Sequence, residues 1–251
     1  MLRVNGLTRT FGGLVAVNEV DLAVQPGMLF GVIGPNGSGK TTMFNMLTGF
    51  LEPTSGRIEF DGRDICGMAP EQIVRAGMAR TFQVVRFHKD STVRETVWSA
   101  QAVHLSWRQL LQPRFAASQK ALAEEVEDIL ERTWLQPHAD RLARELPFGL
   151  VRQLEIARAL ATRPRLLLMD EPASGMNPTE TRQLAQDIRR LCDAGITVVL
   201  IEHDIEMVMN LCDRVAVLNF GKKIAEGTPA EVCRDPDVVA AYLGEKYRAH
   251  A

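Results

Sequence analysis

No stretch of this sequence stays apolar for long. Its apolar stretches, such as Leu166 to Met169 and Ile196 to Ile201, fall far short of the ~20 residues a helix needs to cross a bilayer. The opening Met1-Leu2-Arg3-Val4-Asn5-Gly6 lacks the apolar core of a secretory signal. The chain is therefore expected not to insert into a membrane by itself, although it can dock on a protein that does. An excess of one charge is also missing: 29 Lys and Arg stand against 31 Asp and Glu, a net charge of −2. That excludes the basic footprint of a nucleic-acid binder and the acidic tail of a disordered segment. The four cysteines, Cys66, Cys192, Cys212 and Cys233, form no C-x-x-C pair. That scatter argues against a disulfide framework or zinc site, and reduced thiols in a cytosolic protein are expected. Internal repeats, low-complexity tracts and long linkers are absent as well. What remains is 251 residues, 46% apolar and 24% charged, enough for a substantial core in an ordinary globular composition.

Alternating apolar and polar residues at Leu2–Leu7 and Val15–Val20 predict half-buried strands, punctuated by Gly12-Gly13 and Pro26-Gly27. Met28–Ile33 is nearly continuous in apolar residues, as a strand covered on both faces requires. A glycine-rich turn and an amphipathic helix from Lys40 to Thr48 follow, then a strand at Gly56–Phe60. From about Asp90 to Glu145 the pattern becomes helical. Thr92 and Glu95 form a capping box, and Ala116–Trp134 is rich in good helix formers. The α/β pattern resumes with strands at Leu166–Met169 and Ile196–Ile201. Asn177-Pro178 and Thr228-Pro229 supply a cap and an N1 proline for two further helices. A helical section inserted into one α/β domain is the expectation.

Gly34-Pro35-Asn36-Gly37-Ser38-Gly39-Lys40-Thr41-Thr42 matches G-x-x-x-x-G-K-[ST], in the strand–turn–helix context that gives the match meaning. Glycines let consecutive N–H groups converge on phosphate oxygens, and the helix N-terminus adds its positive end. Lys40 is placed to reach β- and γ-phosphates and the Thr41 hydroxyl to ligate Mg²⁺. These residues predict a nucleoside triphosphate with Mg²⁺. Leu166-Leu167-Leu168-Met169-Asp170-Glu171 then delivers two carboxylates to a strand end, where ligands of open α/β sheets sit. Asp170 is expected to hold the metal shell and Glu171 to orient and deprotonate the attacking water.

About 130 residues separate Lys40 from Asp170. With that spacing, the chain resembles the ATP-binding subunit of an ABC transporter, along essentially its whole length. The spacing, the helix after Leu150 and His203 argue against a P-loop GTPase or kinase. The resemblance implies an α/β P-loop NTPase core with a mixed sheet, an N-terminal antiparallel β subdomain and an inserted helical subdomain. Residues 1–86 and 151–230 would form the catalytic core, 87–150 the helical subdomain and 231–251 a C-terminal helical extension. It also implies that Gln83 is the hinge glutamine that touches Mg²⁺ or the attacking water. His203, at the end of a buried strand, would be the switch histidine at the γ-phosphate, and Phe11 the aromatic that stacks on adenine. Asn177 falls where the family often has Asp, and it is also the helix cap.

The signature segment departs from the family pattern. Where the family has L-S-G-G-Q, this chain has Leu146-Pro147-Phe148-Gly149-Leu150, followed by Val151-Arg152-Gln153-Leu154-Glu155-Ile156-Ala157-Arg158-Ala159-Leu160, which fits the signature helix closely. In the family this segment contacts ATP held by another subunit. Pro147 removes a hydroxyl and an N–H there, leaving Gly149 and the helix N-terminus as anion binders. Ala79-Arg80-Thr81-Phe82-Gln83, the run from Glu171 to Thr181, and the ending through Ala241-Tyr242-Leu243-Gly244-Glu245 resemble the branched-chain amino-acid import group. The implied partners are a second ABC ATPase subunit, in a homo- or heterodimer, integral membrane permease subunits and, indirectly, a periplasmic or extracellular solute-binding protein, with no nucleic acid. The implied location is cytoplasmic, peripheral on the inner face of the cell membrane. Importers of urea, amides or aromatic acids, and ABC-type ATPases of assembly or repair, are the alternatives.

Overall fold

A computed structural model describes residues 1–81, 88, 90–104 and 115–248. The chain opens with an antiparallel hairpin, β1 (Leu2–Phe11) and β2 (Leu14–Val24). Leu2 lies opposite Val24 and Phe11 opposite Leu14. β3 (Leu29–Ile33) follows, then helix α1 (Lys40–Leu47) and the strands β4 (Ser55–Phe60) and β5 (Arg63–Asp64). Helix α2 (Pro70–Arg75) leads into β6 (Met78–Arg80). The helical section holds α3 (Val93–Ala100), α4 (Phe115–Arg132) and α5 (Phe148–Ala161). β7 (Leu166–Asp170), α6 (Pro178–Asp193), β8 (Thr197–Ile201), α7 (Ile205–Leu211), β9 (Arg214–Asn219) and β10 (Lys222–Gly227) rebuild the α/β pattern. Helices α8 (Pro229–Val232) and α9 (Pro236–Arg248) end the chain.

Two sheets result. One has the order β2-β1-β4-β5 and is antiparallel throughout; the other has the order β10-β9-β3-β8-β7-β6, parallel except for β10. β3, β7 and β8 are buried at every position. Their alternate side chains feed two cores. Leu29, Leu167, Met169, Val198 and Leu200 face the helices α3–α7. Phe30, Val32, Leu168, Val199 and Ile201 face α1 and the antiparallel sheet, which sends in Leu2, Val4 and Leu7. The period-two alternation of a strand thus divides one sheet between two layers.

The caps act as their sequences require. Thr92 Oγ1 accepts from Glu95 N at 3.1 Å while Glu95 Oε2 accepts from Thr92 N at 2.8 Å. Asn177 Oδ1 accepts from the amides of Thr179 and Glu180 at 2.9 and 3.0 Å. The expected boundary between residues 150 and 151 falls inside α5, which runs unbroken from Phe148 to Ala161. The proline at 147 can start a helix but not continue one from upstream, and it stands at the cap of α5. The helical section is fastened to the core through Asp187 of α6. This buried carboxylate accepts from Gln153 Nε2 at 2.8 Å and from the Trp134 indole at 3.3 Å.

Candidate nucleotide site

The turn between β3 and α1 is shaped by glycines that nothing else could replace. Gly34 has φ 152°, and a Cβ there would lie 2.1 Å from the Leu218 carbonyl oxygen; Gly39 has φ 104°, and its Cβ would lie 2.5 Å from the Ala16 carbonyl. The turn is pinned from outside by the β9–β10 hairpin, where Gly221 N donates to the Ser38 carbonyl at 3.0 Å. Lys40 is buried, and its Nζ donates to the carbonyls of Gly34 at 2.7 Å and Pro35 at 3.0 Å. The glycine-rich turn thus runs into the α1 N-terminus with a cation held on its own carbonyls, an arrangement that favours phosphate.

A cleft of about 480 Å³ opens above this turn. Asn36, Gly37, Ser38, Gly39, Lys40, Thr41 and Thr42 form its floor, and Phe11, Glu171 and His203 line its walls. Residues from four distant parts of the chain thus meet as the motifs require. Phe11 is exposed, with the Arg9 guanidinium 4.7 Å from its ring centroid, so an aromatic face is presented rather than spent on the core. Glu171 leaves β7 with φ 49°, a conformation that costs a non-glycine residue about 1–3 kcal/mol and collects at functional sites. Its carboxylate is in direct contact with His203 Nε2. Gln83 lies outside the described residues. Gly149 is elsewhere: with Pro147, Leu150, Trp134 and Met176 it borders a separate cleft of about 390 Å³.

Asp170 ends β7 beneath the cleft, buried, with Oδ2 2.7 Å from the Arg80 guanidinium. Arg80 also donates to Asn45 Oδ1 at 2.7 Å and Thr48 Oγ1 at 3.2 Å on α1. The ion pair therefore ties the carboxylate strand to the phosphate helix. Among the described residues no three His, Cys, Asp or Glu side chains converge on one point. One carboxylate and the Thr41 hydroxyl are nevertheless the donor set that Mg²⁺ uses when phosphate oxygens and water complete its shell, so these residues fit the metal.

Two functional-looking groups went unassigned in the sequence, Arg80 and Glu202. Each is a charge at the C-terminal end of an otherwise apolar strand, and that placement is the signal that could have found them. Glu202 is buried; burial pushes its carboxyl above the usual carboxylate range, against the pull of the backbone amides of Ala173, His203 and Asp204.

The ABC transporter family profile matches residues 17–174. This chain belongs to the ABC transporter ATP-binding family. It is 46% identical over 98% of both chains to the high-affinity branched-chain amino acid transport ATP-binding protein BraF of Pseudomonas aeruginosa, and 45% identical over the same shares to LivG of Escherichia coli. Its structure superposes on the ADP conformation of MJ1267, an ATP-binding cassette of an ABC transporter, with a TM-score of 0.86 at 34% identity, covering 97% of this chain and 98% of that one. A second profile, for branched-chain amino acid ATP-binding cassette transporters, matches residues 222–248. The ABC cassette is a nucleotide-binding ATPase, which accords with the cleft above Lys40. Among the described residues no helix is long and apolar enough to cross a membrane.

Proposed function

We propose that this chain is the ATP-hydrolysing subunit of an importer of branched-chain amino acids, seated on permease subunits at the cytoplasmic face of the cell membrane. The observation that carries the reading is the cleft in which Lys40, Glu171 and His203 meet, in a chain 45–46% identical end to end to transport ATPases of that solute class. The C-terminal match over residues 222–248 favours the amino-acid group over other importers.

In this reading Phe11 stacks on the base, and the loop of residues 34–42 with Lys40 holds the phosphates. Thr41 and Asp170, with Gln83, would hold Mg²⁺, which when bound draws charge from the phosphate oxygens. Glu171 takes the proton of the attacking water, and the His203 imidazole, already paired with Glu171, fixes that carboxylate and faces the terminal phosphate. Residues 1–86 and 151–230 act as the catalytic core. The helical section about 87–150 moves against it from the Gln83 hinge and drives the permease, with α5 carrying the motion across the division.

The signature segment faces the site of a second ATPase chain. A homodimer would set Pro147 opposite both sites; a distinct partner chain with the signature serine would give the site on Lys40 a complete signature and leave Pro147 facing only the partner's site. Glu171→Gln keeps size and hydrogen bonding but cannot take a proton. It should slow turnover in the assembled transporter by roughly 10²–10⁴-fold while ATP binding survives. Near-normal turnover would remove Glu171 as the base.

A further inference from the structure

Parallel strands β7 and β8 run side by side to their C-terminal ends, where the last paired residues are Asp170 and Ile201. One more backbone bond follows, from Glu171 N to the Ile201 carbonyl at 2.9 Å. Beyond it each chain turns away, one carrying Glu171 and the other His203. The next link between them is a side chain. Glu202 Oε1 accepts from Ala173 N at 2.7 Å, and Glu202 Oε2 accepts from His203 N at 3.0 Å. Only 4% of Glu202 is exposed.

We propose that Glu202 is a positioning residue for hydrolysis, a carboxylate clamp that fixes the segment after Glu171 against the loop bearing His203. A carboxylate is suited to this because it is planar and accepts on both oxygens. Its two acceptors set the separation of the two amides, and through them the approach of His203 to Glu171. Such a group is costly to bury unless its hydrogen bonds are made, and among the described residues it makes them to these two loops, through the amides of Ala173, His203 and Asp204. The core already holds the strands themselves. What the clamp adds is the relative placement of the base and the imidazole, where errors of an ångström are expensive.

The inference rests on the roles given above to Glu171 and His203. Glu202→Gln preserves volume but leaves a single acceptor oxygen, so its amide nitrogen must oppose either Ala173 N–H or His203 N–H, donor against donor. In the assembled transporter this change should lower turnover at saturating ATP by about 10- to 100-fold, with ATP affinity by calorimetry kept within about twofold. Amide exchange at Ala173 and His203 should quicken. In a His203→Ala background, Glu202→Gln should then cost little more, because it acts through a group already removed. Glu202→Asp, which keeps both oxygens on a shorter arm, should be intermediate, and it carries the same test if Glu202→Gln does not accumulate. Unchanged turnover, a parallel loss of affinity, or full additivity with His203→Ala would each overturn the clamp. Glu171→Gln measured alongside separates the causes. If it is slow and Glu202→Gln is normal, the clamp alone fails; if Glu171→Gln is itself normal, the reading of the site fails and the clamp with it.

Discussion

The starts of α1 and α5 are both helix N-termini, and they are equipped in opposite ways. At α1 the chain arrives through glycines at positive φ, and the Lys40 ammonium is held on the carbonyls of Gly34 and Pro35. At α5 the cap is Pro147, which makes no side-chain cap bond. A Cβ on Gly149 would meet Glu180 Oε1 at 3.3 Å, so a carboxylate already stands by the first turn. Phe148 is exposed beside it, with Arg152 5.2 Å from its ring centroid. A helix dipole is common to both ends and worth about 0.3–1 kcal/mol at a surface. The difference lies in what surrounds it: glycine conformations and a lysine held on the turn's carbonyls at one end; a proline, a neighbouring acid and an arginine already paired with Glu155 at the other. A helix N-terminus is therefore an opportunity for anion binding, and the flanking residues decide whether it is taken.

The largest expected effect lies under the better-equipped end. Arg80→Met strands Asp170 as a buried charge without its partner and should cost about 3–5 kcal/mol of stability, read by chemical denaturation. A loss below ~1 kcal/mol would mean that the pair does not hold the strand to α1. Lys40→Ala removes the cation that separates the two termini. ATP affinity by calorimetry should fall by roughly ten- to a hundredfold, and an unchanged affinity would erase the contrast. Asn177→Ala removes the cap of α6 between the two ends and should cost ~1 kcal/mol of stability. A cost above that, accompanied by slower turnover, would show that this cap also aligns the segment after Glu171. Phe11→Ala should weaken ATP binding by about two- to tenfold, the scale of one aromatic stacking contact, with GTP affected similarly because stacking tolerates either base. Loss for ATP alone would point to a base-reading group elsewhere.

What the sequence made legible follows the reach of its interactions. The Lys40 loop, the Asn177 cap and the Thr92 capping box are local, set by residues within a few positions, and each sits where its pattern places it. The burial of β3, β7 and β8 could be read from apolar runs because both faces of that sheet are covered. The Arg80–Asp170 pair joins residues 90 positions apart, and the Glu202–Ala173 link joins residues 29 apart. Neither spacing leaves a periodic trace, because strand order rather than sequence brings the partners together. Pro147 reads in the sequence as a lost donor at the signature; its φ of −58° in the structure also suits it to start α5.

The unequal termini are tested most directly by turnover at the partner chain's site, isolated by carrying Glu171→Gln in this chain, with and without Pro147→Ser. Restoring a hydroxyl and an N–H at that position returns a hydrogen bond to a charged phosphate, worth about ten- to a hundredfold in rate. A rise of that size, with folding intact, is the predicted result. No change would contradict the account and show that Gly149 and the α5 N-terminus suffice without the serine.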